Sequence, residues 1–336
     1  MIADLSMAEP LARWSCPIDY SGSHSFGKWN FMIDVGMLGV GGTLPMPGRP
    51  LSSALIRCGG EMILMDCGEG TQVGLRKLGW GIKDIGTILI SHFHADHVGG
   101  IPGLLLTIGN SGRTKSEPLT IAGPRGIGRI VDGLRVIAPH LPYPVKYREM
   151  TGKPDDVIPV GPLRVTSAWA EHEIPCLAYR FDLPRARPFL PENAKKLGLP
   201  VEFWKRLQRG ETVTFDGKNY LPEDVLGPPR PGLSVGFVTD TRPTQQLVEF
   251  VTDVNLLICE AMYGDPEDLP KALENKHMVF AESAMIGAAA RAGQLWLTHF
   301  SPALPFPEQY RAEAERIYPG VVLGREMLST SITFPD

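Results

Sequence analysis

Short apolar runs bounded by Gly, Pro and polar residues recur along the chain, and segments with helical spacing lie between them. Strands are predicted at residues 31–35, 53–57, 62–66, 87–91, 119–122, 163–168 and 176–181, and again at 235–239, 256–259 and 295–298. Helices are predicted over 71–78, 97–108 and 126–137 in the first half and 244–250, 281–292 and 307–317 in the second. Pro124 suits the entry to the third of these. This alternation is that of an α/β protein, with no internal repeat. Residues 1–30 show no periodicity and read as an N-terminal extension to a domain spanning 31–336.

Residues 183–232 break the rhythm. They hold eight of the 31 prolines, nine Lys or Arg and six Asp or Glu, a formal charge of +3 in a chain whose total is -4. That composition marks an inserted arm of opposite polarity to the body. Within it, residues 200–209 predict a short helix carrying Trp204 among Lys205, Arg206 and Arg209, and these cations are candidates for polyanion contact.

At 336 residues and 43% hydrophobic, the chain can bury a large core. No run approaches the roughly 18 apolar residues of a membrane span, and the first thirty residues lack a basic start followed by an apolar block. A cytoplasmic protein without membrane contact is expected. Five scattered cysteines without a C-x-x-C pair indicate neither a disulfide framework nor a thiolate zinc site. The acidic total excludes a globally basic nucleic-acid binder, so any polyanion must meet a local basic surface.

The chemistry is concentrated in His92-Phe93-His94-Ala95-Asp96-His97, directly after the predicted strand 87–91. Where an extended segment ends, side chains at i and i+2 point the same way, so His92 and His94 can share one ion while Asp96 and His97 face another. A metal pair needs further ligands, and His172, Asp240 and His299 each follow a predicted strand, where functional side chains gather in layered α/β folds. Imidazole and carboxylate without thiolate suit zinc, with manganese or iron also compatible. We assign His92, His94 and His172 to one ion, Asp96, His97 and His299 to the other, and Asp240 as the bridge. Two such ions activate a shared water and stabilise in-line displacement at phosphorus, which points to phosphodiester hydrolysis. Asp66, at the end of an earlier strand, is expected to support a ligand-bearing loop, the alternative being an N-cap for the helix beginning near Thr71.

With these residues in view, the chain resembles the metallo-β-lactamase superfamily and, within it, the ribonuclease Z family that trims the 3′ end of precursor tRNA. The resemblance runs from about Phe31 to Ser301. It includes Gly41-Gly42-Thr43-Leu44-Pro45, Asp66-Cys67-Gly68-Glu69-Gly70-Thr71-Gln72, the block from His92 to Gly100, Gly123-Pro124-Arg125-Gly126-Ile127, Glu171-His172-Glu173-Ile174-Pro175, Asp240-Thr241-Arg242-Pro243 and Leu297-Thr298-His299-Phe300-Ser301. It implies an αββα four-layer sandwich, two zinc ions per subunit, a flexible arm that holds the tRNA body, and a homodimer. It further implies that Asp96 accepts a proton, that His277 protonates the leaving 3′ oxygen, and that Glu260 orients His277. Taken alone, His277 reads as a surface histidine. Arg242 is a candidate substrate contact. The chain has Cys259-Glu260-Ala261-Met262 where the family has His-Glu-Ala-Thr, His277-Met278-Val279 for His-Ser-Thr, and Thr239 for the Gly before the bridging Asp. A metallo-phosphodiesterase for small or cyclic phosphodiesters is the alternative activity, and a metal-bound scaffold without catalysis a third reading.

Overall fold

The computed structural model describes residues 32–335, so the expected extension over 1–30 lies outside the described residues. Two seven-stranded sheets dominate. The first holds β1 (Met32–Gly39), β2 (Ser53–Cys58), β3 (Glu61–Met65), β4 (Ile85–Leu89), β5 (Leu119–Gly123), β6 (Val145–Glu149) and β16 (Ser329–Thr333), in the order β16-β1-β2-β3-β4-β5-β6. The second holds β7 (Ile158–Val160), β8 (Leu163–Ala170), β9 (Cys176–Leu183), β12 (Leu233–Val238), β13 (Leu256–Glu260), β14 (Leu295–Thr298) and β15 (Val322–Leu323), in the order β15-β14-β13-β12-β9-β8-β7. In each sheet antiparallel pairs give way to a parallel run, β3 to β6 in one and β12 to β15 in the other.

Strand alternation explains the layering. Along β3, Ile63 and Met65 enter the core that the two sheets share, while Met62 and Leu64 enter a second core with Leu75, Leu104, Leu105 and Val131 from the covering helices. A strand buried on both faces reads as a continuous apolar run, as Met62-Ile63-Leu64-Met65 does. On the second sheet, Leu247 and Val251 from the segment around Gln245–Phe250, and Phe280, Ala284 and Ile286 from Phe280–Ala289, complete the shared core. The result is the αββα sandwich.

Three predicted helices come out divided; over 126–137 the helix Ile127–Leu134 passes into a 3₁₀ turn at Arg135–Ile137. The stretch 97–108 forms α2 (Ala95–Val98) and α3 (Ile101–Asn110), separated by Gly99 and Gly100. A Cβ on Gly100 would stand 2.0 Å from the Gly68 carbonyl oxygen, and the Gly100 N–H donates to the Cys67 carbonyl at 2.8 Å. The backbone of the 67–68 loop therefore docks where the helix would continue. Over 307–317, Pro307–Tyr310 winds as a 3₁₀ turn before the helix Arg311–Glu315. Strands β6, β7, β15 and β16 were not predicted, being short, polar or at sheet edges; β16 pairs with β1, setting Ile332 opposite Ile33.

Residues Arg185–Pro231 form a compact unit of their own. It contains the helices Pro191–Lys196, Val201–Gln208 and Pro222–Val225, and a hairpin of β10 (Val213–Phe215) with β11 (Lys218–Tyr220). A small core of Ala194, Leu199, Leu207, Val213, Val225 and Leu226 holds them together, with Phe189 against Trp204 and Phe203 against Phe215.

Candidate metal centre

Six sheet strands deliver the site from their ends. Asp66 follows β3, the block from His92 to His97 follows β4, His172 follows β8, Asp240 follows β12, Glu260 closes β13 and His299 follows β14. Asp66, Asp240 and His299 turn their backbones into the left-handed region, with φ of 53°, 31° and 62°. Non-glycine residues adopt that conformation rarely, and it aims these side chains off the strand direction into one volume. Gly42 makes room beside them, since a Cβ there would lie 2.7 Å from His299 Cε1.

The ligand-type atoms converge in two groups that share one carboxylate. Asp240 Oδ2 lies 3.4 Å from His92 Nε2 and 3.8 Å from His172 Nε2, and His94 Nδ1 lies 3.0 and 3.4 Å from those same nitrogens. Asp240 Oδ1 lies 3.4 Å from His97 Nε2 and 3.2 Å from His299 Nε2, and Asp96 Oδ2 lies 3.4 Å from each. Ligands at about 2.0–2.1 Å from a tetrahedral ion are separated by roughly 3.3 Å, so both spacings fit a divalent metal. The donor chemistry agrees. His97 Nδ1 is hydrogen-bonded to Asp66 Oδ2 at 2.8 Å, which turns Nε2 towards His299 Nε2 at 3.2 Å. Two buried imidazole nitrogens and two carboxylates facing one another form a donor set that suits a cation. His299 Nδ1 is buried without a hydrogen-bond partner among the described residues.

Burial and neighbouring charges move several of these groups from their ordinary values: His97, where burial alone would lower the imidazole, is raised well above its ordinary value by the Asp240 and Asp66 carboxylates. Burial pushes the His92 imidazole well below its ordinary value, helped by His97. Burial raises the Asp240 carboxyl, but the surrounding imidazoles of His299, His97 and His92 outweigh it and hold the group well below the carboxylate range. Asp96 is likewise held low by His299 and His97 against the effect of burial.

Asp66 is fully buried; it accepts from the Ser91 N–H at 2.7 Å and the Ser91 hydroxyl at 2.8 Å. The N-cap position of the helix Thr71–Leu78 is occupied by Gly70, so Asp66 does not cap that helix, and its Oδ2 lies 2.8 Å from His97 Nδ1. His277 lies 4.0 Å from Asp240 Oδ2 and pairs through Nδ1 with Glu260 Oε1 at 3.0 Å. Burial disfavours its imidazolium, yet the charge and hydrogen bond of Glu260, with Asp240 behind it, raise it to about 9. Glu260 is itself fixed by backbone N–H donors from Thr241 at 2.8 Å, Met262 at 3.1 Å and Met278 at 3.3 Å. Two of these three donors belong to methionines, Met262 and Met278, which meet Glu260 through their main chain. Thr239 donates its hydroxyl to Asp240 Oδ1 at 2.6 Å, an additional anchor that a glycine lacks.

Sequence reasoning missed three supports: this Thr239 hydroxyl, the Ser91 pair on Asp66, and the Thr43 N–H donated to Asp96 Oδ2 at 2.7 Å. Only the Gly41-Gly42-Thr43 turn carried a visible signal. The Arg242 guanidinium is committed internally, to Glu282 and to the His277 carbonyl. Lys205 and Arg206 lie on the helix Val201–Gln208 and Arg209 caps it, in the separate Arg185–Pro231 unit, where Arg206 pairs with Glu211 at 2.8 Å.

A family model described as the anti-Pycsar protein Apyc1 matches residues 33–121. The ribonuclease Z of Clostridium kluyveri is 47% identical over 305 residues, covering 91% of this chain and 100% of its own. That of Clostridium acetobutylicum is 44% identical over 310 residues, with the same coverage of 91% and 100%. Among solved structures, the short form of human tRNase Z superposes with a TM-score of 0.64 at 24% identity, over 90% of this chain and 100% of that one. The metallo-beta-lactamase fold protein YhfI of Bacillus subtilis gives 0.63 at 20% identity, over 89% and 99%.

Proposed function

Because the chain belongs to the ribonuclease Z family, we propose that it is a metal-dependent endoribonuclease that removes the 3′ trailer of precursor tRNA. The observation that carries this reading is the convergence of six metal-type side chains on one shared carboxylate, Asp240, beside the His277–Glu260 pair. His92, His94 and His172 would hold one zinc ion, Asp96, His97 and His299 the second, with Asp240 between them. When bound, the pair supplies Lewis acidity that makes a water acidic and offsets phosphodiester charge.

The chain's own groups do the rest. Asp96, kept ionised, accepts the proton of the attacking water. His277, whose imidazolium the Glu260 carboxylate favours, gives its Nε2 proton to the departing 3′ oxygen, since an unprotonated alkoxide leaves poorly. Glu260 takes the Nδ1 hydrogen bond and so keeps the acidic nitrogen directed away from itself. Lys205, Arg206 and Arg209 of the Arg185–Pro231 unit engage the tRNA backbone, and the active species is a cytoplasmic homodimer. Among the described residues, no helix is long and apolar enough to cross a membrane.

The test is incubation with a precursor tRNA bearing a 3′ trailer. Cleavage releasing a tRNA with a 3′ hydroxyl, abolished by a chelator and restored by zinc, is expected. An intact precursor in the presence of metal would sink the proposal, and turnover confined to small aryl or cyclic phosphodiesters would favour the alternative activity.

A further inference from the structure

Arg242 stands at the junction of three loops that carry site residues. Its backbone N–H donates to the Glu171 carbonyl at 2.9 Å, and the neighbouring Thr241 hydroxyl receives the Glu171 N–H at 2.9 Å. The loop bearing Asp240 is thereby stitched to the loop bearing His172. From the same residue the guanidinium reaches the third loop, donating to the His277 carbonyl and to both oxygens of Glu282. Glu282 also accepts the Val279 N–H at 3.1 Å, at the first turn of the helix Phe280–Ala289. The two side chains are only 11% and 15% exposed. The segment they hold needs holding: Lys276 has φ of 53°, and its carbonyl lies 3.2 Å from His172 Nδ1.

We propose that Arg242 and Glu282 are positioning residues that set the placement of His277, so that Arg242 serves departure of the leaving oxygen and not substrate binding. The proposal rests on the reading of His277 as proton donor. In that step the water oxygen bonds to phosphorus, the bond from phosphorus to the leaving oxygen breaks, and the Nε2 proton passes to that oxygen. A planar fork is required, because one carboxylate and one carbonyl must be met together; a lysine ammonium cannot reproduce that geometry. A misplacement of about 1 Å at a reacting group costs on the order of 10²-fold in rate.

The experiment compares zinc-loaded wild type with Arg242→Ala, Arg242→Lys and Glu282→Gln on precursor tRNA, a phenyl phosphodiester and a 4-nitrophenyl phosphodiester. Zinc content and thermal unfolding are recorded for each. The 4-nitrophenolate leaves without protonation, whereas the phenolate and the 3′ alkoxide need it. We expect kcat to fall ~10²-fold on tRNA and phenyl ester at unchanged KM, with at most about a threefold loss on the nitrophenyl ester. Adding Arg242→Ala to His277→Ala should cost nothing further on the phenyl ester. A raised KM with kcat intact would make Arg242 a substrate contact and overturn the proposal. Parallel loss on both esters, or additive losses with His277→Ala, would overturn it equally. If wild type leaves tRNA uncut, the tRNA reading fails while the ester comparison still decides this assignment.

Discussion

Asp66 sits behind the His97 ring and holds its Nδ1, so that Nε2 is the nitrogen turned towards His299. Its two oxygens take the Ser91 N–H, the Ser91 hydroxyl and His97 Nδ1, so the carboxylate is held in place and fixes the orientation of the His97 ring. Replacing it by asparagine should leave the fold intact and weaken metal binding by about 10–100-fold, read by competition against a chromogenic chelator. Unchanged affinity in Asp66→Asn would remove Asp66 from the site. The cysteines give a second residue-scale expectation. Burial, with the nearby Asp34 charge, pushes the Cys58 thiol from its ordinary value of 9.0 up to about 12, and burial likewise raises Cys176 and Cys259. Above the ordinary thiol value the unfolded chain releases protons that the folded chain retains, so stability is full below it and falls as pH rises from about 9 towards 12. Urea unfolding across that range should show a declining midpoint, and Cys58→Ala should flatten the decline. Much of the site at this scale was legible: the ligand types and their places after strands are local properties. Thr239 on Asp240 and Thr43 on Asp96 were not legible, because a hydroxyl or amide in a loop acquires a partner only when the fold supplies one.

Among elements, the pair α2 and α3 shows tertiary contact overriding helical periodicity. The apolar spacing over 97–108 continues through Gly99 and Gly100, but the 67–68 backbone occupies the space the helix would need. Gly100→Ala should therefore destabilise by about 1–3 kcal/mol in urea unfolding, with activity reduced because His97 lies in α2. Gly133, in the helix Ile127–Leu134, has nothing within 4 Å of a built Cβ. Gly133→Ala should stabilise by about 0.5–1 kcal/mol in the same assay, through the reduced freedom of the unfolded chain. Equal effects at the two glycines would refute the docking argument. Strands with two buried faces were readable because their apolar runs are continuous. The edge strands β6 and β16 were not, since Val-Lys-Tyr-Arg-Glu and Ser-Thr-Ser-Ile-Thr become strands through pairing with β5 and β1 and carry little local signal.

For the whole molecule, the Arg185–Pro231 unit and the remaining described chain each have their own hydrophobic core, which separates chemistry from substrate capture in the proposed function. Replacing 185–231 by a short Gly-Ser linker should abolish tRNA turnover while keeping hydrolysis of a 4-nitrophenyl phosphodiester within about threefold, as expected when remote contacts supply binding. Retained tRNA processing would show that the unit has no part in recognition. The sequence by itself determined the α/β class and singled out most of the imidazole and carboxylate groups that the fold brings together, because strand burial and the His92 to His97 block are written in adjacent residues. It also exposed the insertion, through proline content and charge. Only the tertiary structure decided that Asp240 faces both ligand groups, that His277 stands over it against Glu260, and that Arg242 is bound to Glu282. Those relations join residues far apart in the chain, and their geometry exists once two sheets have packed face to face and brought six strand ends to one edge.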